Sequence, residues 1–434
     1  MRVTGDRGFL RPQNPIIRLI IEKRDDVTTD TFHLDSMACP RCGHQPDIRD
    51  PANYLGCPKC HAQLGIPVNY VVQSKQPSIA ELRSSRERPA GLGIWRWAPQ
   101  LPVGAAQAVS LNEGNTPLIS LPTFGSRFGA TRLHIKNESA NPTWSHKDRL
   151  CAAAVTAAKA LGARAVVAAS TGNHGASLAA YAARAGMPCV ISTLNSVPQT
   201  MRVLMESYGA EVRTVEHSDE RFEAIAAGVR NEGWYPCSNS SSPPVGSSPY
   251  GVDAYKTIAY ELWAQTDGKQ IDAVVVPTGY GDCLRGIARG FDDLYRAGAI
   301  EKIPRLIAAE IFGKVGRSIN TDPIHLGPWP TAESAAFSIG GGFTTYQAVD
   351  TIKSHGGDAV VVPESSILAT QLELARSEGI YAEASSAVAV AAAAAAYRDS
   401  IVEKDDLVVI ISTSSGLKDP AATAAAIAAM KRGN

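Results

Sequence analysis

The chain has 434 residues, an apolar fraction of 44%, and 42 basic residues that balance 42 acidic ones. A chain of this length exceeds one simple core, so we expect about two or three domains. The absence of net charge gives no electrostatic reason to expect nucleic acid or an anionic membrane as a partner.

Two apolar segments bear on membrane insertion and export. The longest, residues 387–397, is mostly alanine and too short to span a bilayer, so it predicts a buried, tightly packed helix. The strand-like segment 16–21 is also too short, and the first residues carry Arg2, Asp6 and Arg7 without the apolar block of a signal peptide. We therefore expect no membrane partner and a cytoplasmic location.

Four cysteines follow an extended N-terminal arm, predicted over residues 1–36. Cys39 with Cys42 and Cys57 with Cys60 form two CxxC pairs separated by fourteen residues. This spacing predicts a small ribbon over residues 37–68 that holds one structural Zn²⁺. A ribbon that has lost its metal and a pair of redox-active dithiols are the alternatives. Four thiolates leave no open coordination position, so a catalytic metal is not expected.

A polar connector is predicted over residues 69–110, because its prolines and a charge run at 83–88 indicate a short helix plus linker. Beyond it, short apolar strands alternate with alanine-rich helices such as 149–161 and 176–185. The predicted strands are 133–136, 165–169, 189–193, 212–215, 273–276, 306–310 and 407–412. This alternation predicts an α/β fold of parallel sheet covered by helices on both faces.

Two glycine-containing loops each join a predicted strand to a predicted helix. Residues 170–175 read STGNHG, and residues 277–283 read PTGYGDC. Exposed amide groups and the helix dipole make such turns favourable for a carboxylate or a phosphate. Each loop alone could be a tight turn. Together with Lys147 upstream, they indicate a pyridoxal-phosphate enzyme with one site for the cofactor phosphate and one for a substrate carboxylate.

Residues 111–420 resemble the fold-type II pyridoxal-phosphate enzymes of the tryptophan synthase β-subunit superfamily, and within it the threonine synthases. The matching motifs are EGNTPL at 113–118, SHKDR at 145–149, STGN at 170–173, YKT at 255–257, EASSA at 383–387, and Thr413 with GLKDP at 416–420. The cysteine ribbon is also similar to that of some threonine synthases.

The resemblance implies two lobes of mostly parallel sheet flanked by helices, beside the small zinc ribbon. The large cofactor-binding lobe would comprise residues 111–148 and 256–434, and the small inserted lobe residues 149–255. The resemblance also implies a lyase that eliminates a side-chain leaving group from a small amino acid, with or without addition of water or another nucleophile. We expect a homodimer.

The resemblance assigns a role to each matched residue. Lys147 would hold the cofactor as a Schiff base and move protons at Cα and Cβ. Asn173 would bind the cofactor's 3′-oxygen, and Thr413 would face its pyridine nitrogen. A hydroxyl there cannot keep that nitrogen protonated as a carboxylate would, which suits elimination and replacement more than transamination. The cofactor phosphate would bind Gly279, Tyr280, Gly281, Asp282 and Cys283, and the substrate would bind Ser170, Thr171, Gly172 and His174.

Cys283 and His146 each allow a second interpretation. The Cys283 thiol either approaches the cofactor phosphate or fills space where a helix begins. The His146 ring either packs behind Lys147 or takes part in proton transfer.

Three positions depart from the threonine synthases. That family usually has glycine and an aromatic residue where this chain has Trp144 and His146. The pair His174-Gly175 instead resembles the loop of serine and threonine ammonia-lyases and racemases. An arginine that helps to bind the substrate phosphate in threonine synthases corresponds by register to Gly251. Compensating cations could be Arg149, Arg202 or Lys256.

These departures leave several functions open. The first is a threonine-synthase-like enzyme acting on O-phosphohomoserine. The alternatives are an ammonia-lyase or a sulfur β-replacement synthase acting on an unphosphorylated amino acid. A binding or regulatory protein of reduced catalytic activity, which keeps pyridoxal phosphate and the fold, is the alternative from another class.

Overall fold

The computed structural model describes residues 32–33 and 36–433. Most of the predicted arm, including segment 16–21, lies outside the described residues. The strands are β1 (Ser36–Ala38), β2 (Val71–Gln73), β3 (Leu118–Ser120), β4 (Arg132–Asn137), β5 (Ala165–Ala169), β6 (Cys189–Leu194), β7 (Glu211–Val215), β8 (Trp234–Pro236), β9 (Ala273–Pro277), β10 (Arg305–Glu310), β11 (Asp358–Val361) and β12 (Leu407–Ser412).

The α-helices alternate with these strands over most of the chain. They are α1 (Pro58–Leu64), α2 (Ile79–Glu87), α3 (Pro122–Ser126), α4 (Lys147–Ala160), α5 (Asn173–Ala185), α6 (Gln199–Ser207), α7 (Ser218–Glu232), α8 (Pro249–Ala254), α9 (Lys256–Gln265), α10 (Asp282–Arg296), α11 (Lys314–Ile319), α12 (Tyr346–Ser354), α13 (Glu364–Glu378), α14 (Ala384–Arg398) and α15 (Ala421–Gly433). Within the described chain, none of these helices has both the length and the apolar character needed to cross a bilayer.

These strands form three sheets. A six-stranded sheet has the order β11-β10-β9-β12-β4-β3, and all its neighbours are parallel except β3 and β4. A four-stranded parallel sheet has the order β7-β6-β5-β8. The strands β1 and β2 form a separate antiparallel pair beside the cysteines. The predicted α/β class is confirmed, with the antiparallel edge strand β3 as an addition.

All seven predicted strands are present, each within one residue of its predicted ends. The five strands that the sequence pattern did not reveal are β1, β2, β3, β8 and β11. Each of these is only three or four residues long, which is too short for a periodic pattern to be recognised. They lie at sheet edges or in the N-terminal ribbon, where few neighbours constrain the sequence.

The central strands β9 and β12 are buried along their whole length. Val409 and Ile411 of β12 pack into the apolar cluster on one face of the sheet, whereas Val408 and Ile410 pack into the cluster on the other face. Helices therefore cover both faces, as a parallel sheet with continuous apolar strands requires. Helix α14 contains the alanine-rich stretch and belongs to the second cluster, which confirms that this stretch is a buried helix.

Strands β5 to β8 of the four-stranded sheet all fall between residues 165 and 236, inside the predicted inserted lobe. The six-stranded sheet contains strands from both sides of this insertion. The connector holds the predicted short helix as α2, which begins with a capping box between Ser78 and Glu81. The exact domain boundaries remain predictions.

A fully buried ion network joins β4, α4 and α9. Arg149 donates from Nε to Glu138 Oε2 at 2.7 Å and from Nη1 to Glu261 Oε1 at 2.6 Å. Lys136 Nζ lies 2.7 Å from Glu261 Oε2, and all four side chains are at most 1% exposed. Burial alone would raise the pKa of Glu261, but the charges of Arg149 and Lys136 hold it at about 2. Both carboxylates therefore remain ionised at neutral pH.

We expect Arg149→Met to lower the free energy of unfolding by about 3–5 kcal/mol, because it leaves two buried carboxylates with too little positive charge. Urea unfolding at pH 7 measures this change. Arg202→Met is the matched control, since Arg202 forms an exposed ion pair with Glu206 on α6. It should cost about 0–1 kcal/mol. Equal stabilities of the two variants would contradict the importance of the network.

Candidate active site

A cavity of about 360 Å³ lies at the carboxyl ends of strands from both larger sheets. Its walls include Ala169 at the end of β5, Leu194 at the end of β6, Pro277 at the end of β9, and Thr413 directly after β12. In open parallel sheets this edge carries loop amides and helix N-termini, and ligands bind there. The fold thus places a ligand-sized cavity between its two larger sheets.

All of the cofactor and substrate residues predicted from the sequence line this one cavity. They are Lys147, Ser170, Thr171, Gly172, Asn173, His174, Gly279, Tyr280, Gly281, Asp282, Cys283 and Thr413. The residues come from four separate parts of the chain, so their convergence is a result of the fold. The individual roles assigned to them remain predictions.

Lys147 is the first residue of α4, and two uncharged histidines are near it. Its Nζ has no hydrogen bond or ion pair with any described residue. Burial and the charge of Lys147 together hold the pKa of both His146 and His174 well below the usual range. Both imidazoles are therefore neutral at pH 7, and Lys147 provides the positive charge on this wall.

The two histidines differ in their contacts. His146 Nδ1 lies 3.1 Å from the carbonyl oxygen of Thr413, and its ring stacks on Tyr255 with the centroids 5.5 Å apart. This geometry places the proton on Nδ1 and supports the packing interpretation of His146. His174 Nε2 is buried and has no hydrogen-bond partner in the described chain. A cavity ligand could therefore accept or donate at His174 without displacing a protein contact.

The first glycine loop leaves backbone amides open to an anion. Ser170 Oγ accepts hydrogen bonds from the amides of Gly172 at 3.2 Å and Gly175 at 3.0 Å, so this side chain caps the loop. The amides of Asn173 and His174 belong to the first turn of α5 and have no intrahelical acceptor. A Cβ added at Gly172 would meet no atom within 4 Å. The loop can therefore admit a carboxylate close to its backbone.

The side chain of Asn173 is fixed by three partners. Its Nδ2 donates to Glu383 Oε2 at 2.7 Å, and its Oδ1 accepts from Lys418 Nζ at 2.8 Å and Ser414 Oγ at 3.1 Å. Burial lowers the pKa of Lys418 to about 8. Glu383 and Lys418 belong to motifs of the resemblance, but no local pattern indicates that they hold Asn173. Their contact was missed because they lie more than 200 residues away from it in the chain.

The second glycine loop leads into α10. Gly281 has a φ of 78°, a conformation that favours glycine, and Asp282 begins the helix. The Asp282 carboxylate accepts from Ser247 Oγ at 2.7 Å and also from Gln347. The first-turn amides of α10 remain available for a phosphate. Cys283 lines the cavity, and burial raises the pKa of its thiol, so it stays protonated.

Thr413 lines the same cavity and comes directly after β12. Its Oγ1 is 2.9 Å from Ser386 Oγ, and either hydroxyl can donate. Its carbonyl oxygen accepts from the His146 amide at 2.9 Å. The hydroxyl is therefore a neutral group held in a fixed position.

Two cations of the cavity were not anticipated from the sequence. Lys314 Nζ donates to the carbonyl oxygens of Ile339 at 2.8 Å and Gly341 at 3.0 Å, and burial lowers its pKa to about 8. Arg221, on α7, donates from Nε to the carbonyl oxygen of Ser218 at 3.2 Å. No local motif marks either residue, so only the folded chain identifies them.

The cations proposed to compensate for Gly251 lie elsewhere. Arg149 is in the buried ion network, Lys256 Nζ pairs with Asp253 at 2.8 Å, and Arg202 pairs with Glu206 at the surface. Gly251 itself packs on α4, where an added Cβ would lie 2.7 Å from Leu150 Cγ. A side chain at position 251 would therefore meet α4.

The residues present fit pyridoxal phosphate. Lys147 has an amine without a protein partner, and the α10 amides form a phosphate site. The Thr413 residue, with its hydroxyl, lines the same cavity. The cavity volume of about 360 Å³ lies in the usual range for small-ligand sites.

The four N-terminal cysteines form a compact group. Their Sγ atoms all lie within 4.8 Å of one another, with Cys39 and Cys60 at 3.6 Å and Cys42 and Cys57 at 3.5 Å. Tetrahedral zinc with Zn–S bonds of about 2.3 Å needs sulfur atoms about 3.8 Å apart. All four are free thiols. This donor set fits one zinc ion.

Comparison with known proteins identifies relatives over most of the chain. A family model described as pyridoxal-phosphate dependent enzyme matches residues 109–413. The chain is similar to threonine synthase of Methanocaldococcus jannaschii, at 32% identity over 394 residues, 88% of this chain and 92% of the relative. It is also similar to threonine synthase of Methanosarcina acetivorans, at 32% identity over 400 residues, 90% of this chain and 93% of the relative.

Solved structures of the same fold are more distant in sequence. Maize serine racemase has a TM-score of 0.62 at 20% identity, covering 82% of this chain and 99% of that one. A pyridoxal 5′-phosphate-dependent aspartate racemase has a TM-score of 0.61 at 22% identity, covering 78% and 95%. At these identities the likeness establishes the fold alone.

Proposed function

Since the chain belongs to the fold-type II pyridoxal-phosphate-dependent enzymes, we propose that it converts O-phosphohomoserine and water to threonine and inorganic phosphate. The similarity to threonine synthases carries this proposal. It extends over 394 residues, whereas the family match is confined to residues 109–413, so the likeness continues beyond the catalytic region. In this reaction the Cγ–O bond breaks with loss of phosphate, Cβ loses a proton, Cγ gains one to become the methyl group, and water provides the hydroxyl at Cβ.

Different residues of the cavity would bind the cofactor, bind the substrate and move protons. When bound, the cofactor supplies an electron sink for the charge that develops at Cα. Lys147 holds it and moves protons at Cα and Cβ, and the neutral His146 and His174 leave Lys147 as the proton carrier on this wall. The loop 170–175 binds the substrate carboxylate through its open amides. The loop 279–283 binds the cofactor phosphate.

Three contacts keep these groups in place. Asn173 is held between Glu383 and Lys418, so its amide presents a fixed face to the cavity. The carbonyl of Thr413 orients His146, and its hydroxyl contacts Ser386 and carries no charge. If this hydroxyl binds the pyridine nitrogen, it would favour elimination over transamination.

An unphosphorylated substrate is the second candidate, as in an ammonia-lyase. The buried, unpartnered His174 Nε2 favours it, because a neutral imidazole beside the carboxylate loop could bind a small hydroxyl side chain.

We also propose that Cys39, Cys42, Cys57 and Cys60 bind one structural zinc ion. The segment that leaves the ribbon reaches the active site: Asn69 Nδ2 donates to the carbonyl oxygen of Ser247 at 2.9 Å. Ser247 Oγ in turn donates to Asp282 in the proposed phosphate loop. Zinc would thus brace the loop that binds the cofactor.

The first prediction concerns Lys147. Borohydride reduction of the purified wild-type protein should fix the cofactor to the chain and add its mass to the peptide containing Lys147. Lys147→Ala should give no such adduct, because the amine is missing. Lys159→Ala, on the exposed end of the same helix, should behave as the wild type. A reducible adduct in Lys147→Ala would assign the cofactor to another lysine.

The second prediction compares substrates. O-phosphohomoserine, serine, threonine and 2,3-diaminopropionate are incubated separately with the wild-type protein while phosphate, ammonia, keto acid and threonine are measured. We expect phosphate release with an equal amount of threonine from O-phosphohomoserine. Ammonia and keto acid from an unphosphorylated amino acid alone would establish the second candidate. Absence of Cα-proton exchange with every amino acid would contradict both.

The third prediction concerns zinc. Metal analysis should find about one zinc per chain, and the double change Cys57→Ser with Cys60→Ser should abolish it. The control double change, Cys189→Ala with Cys237→Ala, should retain the zinc, because these buried thiols lie outside the group. Zinc loss should also lower cofactor occupancy through the contact of Asn69 with Ser247. Zinc retained in the Cys57/Cys60 variant would rule out the site.

A further inference from the structure

Arg221 is a half-buried cation on the cavity wall, and in the described chain no carboxylate lies within ion-pair distance of it. Its Nε and Nη2 donate to the carbonyl and hydroxyl oxygens of Ser218, and its guanidinium lies over the ring of Phe222, 5.5 Å from the centroid. The charge of Asp219 raises the pKa of Arg221, but this effect is smaller than that of burial. Two other partly buried arginines have ion pairs: Arg285 contacts Asp350 at 3.0 Å, and Arg289 contacts Asp253 at 2.9 Å.

The anchoring by Ser218 leaves part of the guanidinium free. An arginine side chain has five N–H donors in a planar fork, and two of its nitrogens here already hold protein acceptors. Burial lowers the pKa of Arg221, and the charges of Tyr280 and Asp219 act in the opposite direction with smaller effect. An unpaired guanidinium of this kind gains more from an anion than an exposed one, since charge-assisted hydrogen bonds are stronger where water is partly excluded.

Arg221 lies outside both glycine loops in the chain, on α7 beside the four-stranded sheet. Its guanidinium is near Tyr280 of the loop 279–283, and its charge lowers the pKa of that phenol against the larger effect of burial. The cofactor phosphate, the substrate carboxylate and the phosphate of O-phosphohomoserine are three anions. The cavity offers three matching features: the loop 279–283, the loop 170–175 and Arg221.

We propose that Arg221 binds the phosphate at the end of the substrate side chain and thereby selects a doubly anionic amino acid. This inference rests on the proposed function and identifies the residue that recognises the leaving phosphate. The phosphate-binding cation is then Arg221, which lines the cavity, and not a residue at position 251, which packs on α4. The same guanidinium chemistry could serve the phosphate of the cofactor, so the experiment separates the two sources.

The experiment compares two ligands that differ only in the distal anion. The probes are 2-amino-5-phosphonopentanoate, an uncleavable phosphonate with the length of the substrate, and norvaline, which lacks the phosphonate. Calorimetric titration of the cofactor-loaded wild type should show tighter binding of the phosphonate. Arg221→Gln should weaken phosphonate binding about 10- to 100-fold and leave norvaline unchanged. Arg221→Lys should fall between them, because a single ammonium lacks the fork.

Kinetics and cofactor content complete the test. With O-phosphohomoserine, Arg221→Gln should raise KM by a similar factor with a smaller change in kcat, as expected for a group that binds substrate. The dissociation constant of pyridoxal phosphate should equal that of the wild type. Arg230→Gln is the matched control, because Arg230 is an exposed arginine on the same helix, and it should change none of these quantities.

The remaining outcomes contradict either the role of Arg221 or the proposed reaction. Equal phosphonate affinity of Arg221→Gln and wild type overturns the inference, and so does a loss of pyridoxal-phosphate affinity, which would assign Arg221 to the cofactor. If the wild type does not turn over O-phosphohomoserine yet prefers the phosphonate through Arg221, the proposed reaction fails and the anion site stands. If the wild type binds the two probes equally, the anion site fails whatever the reaction.

Discussion

The buried pairing of Arg149 with Glu138 and Glu261 is the constraint on which the active site depends. Arg149 is two residues beyond Lys147 on α4, while Glu138 follows β4 and Glu261 belongs to α9. The guanidinium therefore fixes the start of α4 relative to the six-stranded sheet. A buried ion pair adds little stability compared with an apolar core, but removing one partner is costly. Its consequence here is positional, because it locates the lysine that faces the cavity.

The cavity that surrounds this lysine carries an excess of positive charge. Lys147, Arg221 and Lys314 line it together with the carboxylates of Asp282 and Glu383. A further cation, Lys418, donates to the Asn173 side chain. Burial lowers the pKa of Lys314 and Lys418 to about 8, so both are partly stripped of water yet charged at neutral pH. The neighbouring histidines stay neutral, which limits the repulsion. Such a site is electrostatically suited to several anions at once, and this suits a phosphorylated amino acid together with a phosphorylated cofactor.

The sequence predicted those features that a few adjacent residues mark, and it did not predict contacts between distant segments. Strands such as β5 and β12 contain five or six successive mostly apolar residues, so their pattern was sufficient. Lys147 and both glycine loops stand in compact motifs, and their convergence was expected from the resemblance. Arg221 and Lys314 carry no motif, and the contacts of Glu383 with Asn173 join distant segments. Register placed Gly251 at the position of a phosphate-binding arginine in threonine synthases, but it could not show that this position packs against Leu150.

The departure at Trp144 has a physical explanation in the same region. Trp144 has a φ of 60°, a conformation costly for a large residue, and its ring is 45% exposed. This turn directs its carbonyl oxygen to the Ser414 hydroxyl at 3.0 Å and the Ser415 amide at 3.2 Å. Because Ser414 follows Thr413, these bonds tie the segment before Lys147 to the end of β12. The strained backbone at Trp144 thus lies where the segment that carries Lys147 is hydrogen-bonded to the segment that carries Thr413.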